Sequence, residues 1–169
     1  MAYFLINAYG KDRTGIVRDV SKVLYELGFN LEDSTMAKLA DEFTIMLIVE
    51  GDKTLEEIKD AFKPLNESGL TVNIKQVEKP EEKEKNLFKL VVYGADKPGI
   101  VYNVSDVLSK KGINITDMTT QKSGELYILL TDVEVPDNIT EEELYKEIED
   151  LKEQLGIDIN LEKIETVEM

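Results

Sequence analysis

The apolar positions of the chain change period in a regular order. A short apolar run at residues 3–9 predicts a strand, with Phe4, Ile6 and Ala8 on the face towards the core. Apolar residues then recur at helical spacing: Ile16, Val20, Val23, Leu24 and Leu27. Gly28 follows them and is typical of a left-handed C-cap. The first part of the chain is therefore predicted to be a strand followed by a helix.

A hairpin, a second helix and a last strand are predicted next. Residues 29–38 and 43–49 suit two strands that turn at Ala40-Asp41-Glu42. Thr54-Leu55-Glu56-Glu57 is a capping box, and the helix that it opens runs to about Ser68. Residues 70–77 form the last strand. The complete order is strand, helix, strand, strand, helix, strand.

The chain contains this pattern twice. The segment Tyr93-Gly94-Ala95-Asp96-Lys97-Pro98-Gly99-Ile100-Val101 repeats Tyr9-Gly10-Lys11-Asp12-Arg13-Thr14-Gly15-Ile16-Val17 at an offset of 84. About half of the positions from 9 to 35 are identical in the second repeat. There we predict strands at 87–93, 113–122, 126–135 and 157–167, one helix that Gly112 ends, and another from Thr140 to Leu155. A long period with two copies indicates two similar domains.

The expected fold is α+β, with two ferredoxin-like βαββαβ domains in tandem. Each has an antiparallel four-stranded sheet with its helices on one face. We expect an N-terminal domain at 1–78, a charged linker at 79–86 and a C-terminal domain at 87–169. Residues 43–49 and 126–130 are apolar at successive positions. In a strand with one face exposed to solvent, apolar and polar residues alternate instead. We therefore expect the other sheet face to be buried too, against the second repeat or a second subunit.

Composition excludes several kinds of chemistry. The chain has neither cysteine nor histidine, so disulfides, cysteine or histidine metal sites, and thiol or imidazole catalysis are excluded. The formal charge of −15 disfavours nucleic acid and anionic membranes as partners. The N-terminal strand lacks the basic start of a signal peptide, and no apolar run has spanning length. We expect a cytoplasmic protein without catalytic residue, metal or cofactor.

The repeated loop between the first strand and first helix has a pattern suited to a free amino acid. Unpaired N–H groups and the helix dipole favour a carboxylate there, and a glycine lets the backbone approach it. Aspartate could accept from an ammonium group, and an asparagine amide could both donate and accept. The candidate ligand-binding residues are Asp12, Arg13, Thr14, Gly15, Ile16 and Asn30 in the first repeat, and Asp96, Lys97, Pro98, Gly99, Ile100 and Asn114 in the second.

A structural interpretation of these residues is also open. Turns between a strand and a helix carry aspartate, proline and glycine for geometry alone. Asp12 could cap the helix, and Asn30 and Asn114 could be turn residues. Asp33 and Asp117 repeat as well, and a surface or interface role accounts for them.

The motif Asp96-Lys97-Pro98-Gly99-Ile100-Val101, followed by a helix and Gly112-Ile113-Asn114-Ile115, resembles the signature of the ACT domain. The first repeat is similar, with Thr14 in place of the proline. The resemblance covers nearly the whole chain. It implies a ferredoxin-like fold, pairing of ACT domains, and amino-acid binding at the interface beside this loop. As a tandem pair without a catalytic domain, the chain resembles the glycine cleavage system transcriptional repressor group.

The leading hypothesis is an amino-acid-responsive regulatory protein. It would bind a small amino acid of the glycine or serine class at ACT interfaces, form a homodimer, and signal to a protein partner such as a transcription regulator. The alternative is a constitutive interaction module of the same fold without a ligand. An acylphosphatase-like enzyme using Arg13 or Lys97 is disfavoured by the surrounding pattern. RNA recognition would need aromatic and basic residues on the middle strands, and direct DNA binding a helix-turn-helix, neither of which we find.

Overall fold

A computed structural model describes residues 1–82, 85–95 and 98–165 of the 169-residue chain. Its elements in the first repeat are β1 (Ala2–Lys11), α1 (Ile16–Leu27), β2 (Asn30–Leu39), β3 (Glu42–Gly51), α2 (Leu55–Glu67) and β4 (Thr71–Val77). Those in the second are β5 (Leu87–Ala95), α3 (Ile100–Lys110), β6 (Asn114–Ser123), β7 (Leu126–Glu134), α4 (Glu141–Leu155) and β8 (Asp158–Lys163).

The chain divides into two compact units, Met1–Glu82 and Lys83–Met169. The strand order is β2-β3-β1-β4 in the first unit and β6-β7-β5-β8 in the second, and the paired strands are antiparallel. The predicted fold class is confirmed, since each unit is a βαββαβ domain with a four-stranded sheet. The exact domain and linker limits remain a prediction.

Each unit has its own core between the sheet and its two helices. In the first unit, alternate residues of β1 and β3 are buried against α1 and α2: Phe4, Ile6, Ile45, Leu47 and Val49 from the strands, and Ile16, Val20, Leu24, Ile58, Phe62 and Leu65 from the helices. The second unit repeats the arrangement around Phe88, Leu90 and Leu129. This burial holds the first residue of each N-terminal helix, Ile16 or Ile100, against its sheet.

A β-bulge occurs at the same place in both repeats. The register of β2 against β3 shifts between Leu31 and Asp33, and that of β6 against β7 shifts between Ile115 and Asp117. The repeated aspartates therefore follow a bulge, which is a backbone feature that alternation of apolar residues does not reveal.

The predicted ends of α3 and β8 need correction. The helix α3 ends at Lys110, and Lys111 rather than Gly112 is its C-cap. Gly112 comes one residue later with a φ of 73°, and its N–H donates to Ser109 O. The strand β8 covers Asp158–Lys163 only, and residues 166 and 167 of the predicted strand lie outside the described residues. The capping boxes at Thr54 and Thr140 are confirmed, as is the left-handed Gly28.

The face of each sheet that its helices leave free is not buried throughout. On this face Met46 of β3 is 45% exposed and Leu126 of β7 is 44% exposed. Both helices of each βαββαβ domain pack on the opposite face. The expectation that the free face is buried against the second repeat or a second subunit remains a prediction.

Candidate functional site

The loop between β1 and α1 is tied to the turn of the β2–β3 hairpin. The N–H of Asp12 donates to Asp41 O at 2.7 Å, and Lys38 Nζ lies 3.2 Å from Asp12 Oδ2. The N-cap of α1 is Gly15, which has no side chain, so Asp12 does not cap the helix as the structural interpretation suggested. Its carboxylate instead contacts Lys38 of the β2–β3 hairpin.

Gly15 takes up a left-handed conformation that favours glycine. Its φ is 95° and ψ is 2°, and its carbonyl accepts the N–H of Asp19 at 2.9 Å as the first bond of the helix. Ile16 follows with its side chain 3% exposed in the core. From Ile16, therefore, only the backbone N–H is available to a ligand.

Two arginines and an aspartate surround the start of α1. Arg13 Nη1 lies 3.0 Å from Asp19 Oδ2, and Arg18 Nη2 lies 3.0 Å from Asp19 Oδ1. Hydrogen bonds from Arg18, which has the larger effect, and from Arg13 hold the pKa of the Asp19 carboxyl below its ordinary value. A Cβ on Gly15 would lie 3.2 Å from Arg18 Nη2, so these side chains fold over the glycine. A carboxylate of the protein therefore already lies at this helix N-terminus.

In the second repeat, the glycine before the helix has the same backbone conformation, but the side chains of the first helical turn differ. Gly99 has a φ of 91° and a ψ of 2°, and its carbonyl accepts the N–H of Asn103 at 2.9 Å. Asp96 and Lys97, two of the candidate ligand-binding residues, lie outside the described residues. Tyr102 and Asn103 stand at the positions of Arg18 and Asp19, so the first turn of α3 has no acidic residue. Thr14 and Pro98, the remaining loop candidates, are exposed.

The structure separates each loop from the asparagine of the same repeat. Asn30 begins β2 opposite Glu50, which in turn lies opposite Tyr3 near the start of β1. The loop follows Lys11 at the other end of β1, eight residues away, or about 26 Å at about 3.3 Å per residue. Asn114 is placed in the same way, opposite Glu134 and Leu87, whereas Gly99 follows the far end of β5.

Shallow clefts lie beside the first loop and beside Asn114. One of about 180 Å³ adjoins the first loop and is lined by Lys11, Asp12, Arg13, Ser68, Gly69 and Leu70. Asn114 lines two others, of about 390 and 360 Å³. Ser105 and Ser109 share the larger of these with Asn114. The Oγ of Ser105 donates to Val101 O at 2.8 Å, within its own helix.

Sequence reasoning missed three residues of the first loop region: Arg18, Asp19 and Lys38. Arg18 and Asp19 were detectable, because residues one turn into a helix lie beside its N-terminus. Lys38 reaches the loop only through the register of the hairpin, which its own sequence neighbourhood does not indicate.

Comparison with known proteins decides the family. The family model described as the ACT domain matches residues 2–75 and 88–162, one match in each unit. The chain belongs to the ACT domain family. The predicted ACT resemblance is therefore confirmed for both repeats, and the shared loops are equivalent parts of two ACT domains.

Curated relatives match this chain over most of its length or over a single repeat. The glycine cleavage system transcriptional repressor of Escherichia coli K12 is 24% identical over 139 residues, or 76% of this chain and 73% of that protein. A UPF0237 protein of Streptococcus mutans is 38% identical over 71 residues, which cover 42% of this chain and 80% of that protein. The chain is thus related to a named transcriptional repressor along most of its length.

Solved structures show the same two-domain fold. The structure of an unknown protein from Galdieria sulphuraria matches 97% of this chain and 99% of its own, with a TM-score of 0.83 and 29% identity. A structure provisionally described as a glycine cleavage system transcriptional repressor matches 98% of each chain, with a TM-score of 0.81 and 20% identity, and supports the fold alone. Among the described residues of this ACT protein, no helix is long and apolar enough to cross a membrane.

Proposed function

We propose that this ACT protein is an amino-acid-responsive regulator. A small amino acid of the glycine or serine class binds at interfaces between ACT domains, and a protein partner, such as a transcription regulator, responds to the bound state. The observation that carries this proposal is the repeated left-handed glycine, Gly15 or Gly99, at the N-cap of each first helix. Relationship to a glycine cleavage system transcriptional repressor supports the regulatory class.

The chemistry of these loops suits a carboxylate. Neither Gly15 nor Gly99 supplies a side-chain cap, so the first N–H groups of α1 and α3 are left for another acceptor. The positive end of the helix dipole adds to the attraction. Ile16 and Ile100 hold these N–H groups in place because their side chains are buried.

The asparagine amide, unlike the loop aspartate, does not lie beside the loop of its own domain. Asn30 and Asn114 lie about 26 Å from the loops of their own repeats, by the strand rise of about 3.3 Å per residue. A glycine or serine is far shorter than that distance. One ligand can contact a loop and an asparagine only if a second ACT domain supplies one of them. A ligand bound in this way favours the paired arrangement, which is the differential affinity that regulation requires.

The two loops differ in whether an acidic side chain already lies at the start of the helix. In the first, Asp19 and its two arginines already occupy the helix start. In the second, Tyr102 and Asn103 leave the first turn of α3 without an acidic residue. We therefore assign the carboxylate to the loop of Pro98, Gly99 and Ile100, together with Asp96 and Lys97, in preference to the first loop.

The second candidate function is a ligand-free interaction module. The observation that favours it is the Arg13–Asp19–Arg18 cluster, which pairs the charges of the first loop within the protein. Under this alternative, both loops only shape the turn into the helix, and protein partners bind constitutively.

Thermal unfolding of dialysed protein against a panel of free amino acids tests the proposal. A ligand at a hundredfold excess over its dissociation constant adds about 2.7 kcal/mol, which shifts the midpoint by several degrees. We expect such a shift for glycine or serine in the wild type. A flat response across the panel contradicts the sensor and supports the interaction module.

Two glycine variants locate the response. Gly99→Ala places a Cβ at the second loop, and Gly124→Ala places one in the β6–β7 turn, where nothing lies within 4 Å. Both positions have positive φ, 91° and 60°, so both variants carry comparable backbone strain. The shift should disappear in Gly99→Ala and persist in Gly124→Ala. Equal shifts in the two variants would place the ligand elsewhere.

A further inference from the structure

The two repeats have different chemistry at one position beside the N-cap glycine. Asp19 in α1 and Asn103 in α3 are equivalent residues in the repeat. The backbone N–H of Asp19 donates to Gly15 O at 2.9 Å, and that of Asn103 donates to Gly99 O at the same distance. The side chain at this position therefore lies one turn into the helix, and it is a carboxylate in the first domain and an amide in the second.

The carboxylate of Asp19 is bound through both of its oxygens. Arg13 Nη1 donates to Oδ2 at 3.0 Å. The guanidinium of Arg18 donates to Oδ1 through Nε at 3.2 Å and through Nη2 at 3.0 Å. Planar guanidinium groups suit carboxylates, and Arg13 and Arg18 are the only arginines in the chain. Both arginines of this protein are thus used on one of its own carboxylates.

These side chains also cover the glycine that a ligand would approach. A Cβ on Gly15 would lie 3.2 Å from Arg18 Nη2 and 3.9 Å from Arg13 Nη1. The side chain of Asp19 is only 23% exposed, although it belongs to the first turn of a helix on the surface. The space over the backbone of Gly15 is therefore filled by ion pairs within the protein.

The second repeat places a hydrogen-bond donor beside its glycine instead. Asn103 Nδ2 would lie 3.4 Å from a Cβ on Gly99, and the Asn103 side chain makes no hydrogen bond with another described residue. Tyr102, which replaces Arg18, is 70% exposed. A ligand carboxylate at Gly99 can therefore accept from the first N–H groups of the helix and from this amide.

We propose that Asp19 is an internal ligand of the first loop, so that each chain binds one amino acid rather than two. This assignment rests on the proposed function, because it gives the carboxylate of the bound amino acid to the Gly99 loop alone. Asp19 takes the place of that carboxylate beside Gly15, whereas Asn103 donates to it beside Gly99. The first domain then keeps its internal ligand at all times, and only the second domain responds to the amino acid.

Covalent attachment favours Asp19 over a free amino acid at the first loop. A group joined to its site by a short segment acts at an effective concentration on the order of millimolar or more. A free carboxylate has to exceed that concentration, and it would also leave Asp19 without its two arginines. The first loop should therefore bind an amino acid at least about tenfold more weakly than the second.

Isothermal titration calorimetry with glycine, and separately with serine, counts the sites in each chain. The wild type should bind one amino acid. Asp19→Asn removes the internal carboxylate, frees Arg13 and Arg18, and should bind two. Asn103→Asp puts a carboxylate beside Gly99 and should bind none at concentrations that saturate the wild type. The variant with both changes should bind one, at the first loop.

The number of sites in each variant distinguishes the internal ligand from the amino-acid sensor itself. Two sites in the wild type, or a single site in Asp19→Asn, would overturn the internal ligand and leave the sensor in place. No site in the wild type overturns both. A gained site cannot result from misfolding, and the Gly99 site that Asp19→Asn retains shows that this variant is folded. Asp60→Asn removes an exposed carboxylate from α2 and is the matched control, which should still bind one amino acid.

Discussion

Phe29 fills the space that a side chain on Gly51 would need. A Cβ on Gly51 would lie 1.8 Å from Cδ1 of the Phe29 ring. That ring in turn stacks on Phe4, with centroids 5.9 Å apart and an interplanar angle of 7°. In the second repeat the same positions hold Ile113 and Val135, both buried in the core. The first domain thus fills this corner of the fold with one large residue and a glycine, whereas the second fills it with two branched residues of medium size.

Gly51→Val should destabilise the first domain, because the new side chain displaces Phe29 from Phe4. We expect a loss of about 2–3 kcal/mol in the free energy of unfolding, measured with urea. Adding Phe29→Ile reproduces the pair of the second repeat and should recover a large part of that loss. Additive effects of the two changes would show that the residues do not share this space.

Thr131→Val should stabilise the second domain. Thr131 is fully buried, and its Oγ1 has no hydrogen-bond partner among the described residues, whereas Leu47 occupies the equivalent position in the first repeat. Removing an unpaired buried hydroxyl at nearly constant volume should add about 1 kcal/mol, read from the urea midpoint. Thr119→Val, at an exposed position of β6, is the control and should change stability by less than about 0.5 kcal/mol. A destabilised Thr131→Val would show that the hydroxyl has a partner.

Asp19→Asn should make the protein less stable near neutral pH and leave it unchanged in acid. The Asp19 pKa is lowered on folding by hydrogen bonds from Arg18 and Arg13. Its stabilisation is therefore complete above the ordinary value of 3.8 and is lost as pH falls through the lower folded pKa. Thermal midpoints of wild type and variant should differ at pH 6 and converge well below pH 3.8. A difference that does not depend on pH would assign the effect to packing.

Asn103→Asp should give the second loop the carboxylate that the first loop has. A negative charge in the first turn of α3 should stabilise the helix by about 0.3–1 kcal/mol. The same charge should repel a ligand carboxylate, so the amino-acid-dependent rise in thermal midpoint should fall relative to wild type. A raised midpoint with an unchanged amino-acid response would place the ligand away from Gly99.

The sequence predicted the fold well because its strongest signals are local. The offset of 84, the apolar periods and the capping boxes at Thr54 and Thr140 all describe neighbouring residues, and the structure confirms the elements that they indicate. Glycines after a helix predicted the exact helix end less well. Gly28 is the C-cap of α1, whereas the C-cap of α3 is Lys111, one residue before the glycine.

The candidate site was harder to predict because it depends on register. The loop residues and the asparagines were grouped by chemistry, but Asn30 lies opposite Glu50 and Tyr3, at the far end of β1 from the loop. The Lys38–Asp12 contact comes from the length and turn of the hairpin. The β-bulges, which decide which face Asp33 and Asp117 reach, leave no trace in apolar periodicity.

The unequal filling of the corner at Gly51 bears on how the chain avoids misfolding. Two adjoining repeats with half-identical segments risk exchanging strands during refolding, which is a typical failure of tandem proteins. A hybrid that combined the Phe29 segment with the Val135 segment would force an aromatic ring against a branched side chain. The reverse hybrid, with Ile113 facing Gly51, would leave a void beside Phe4. Divergence of the two cores thus penalises both exchanged products and directs each half of the chain to its own partner.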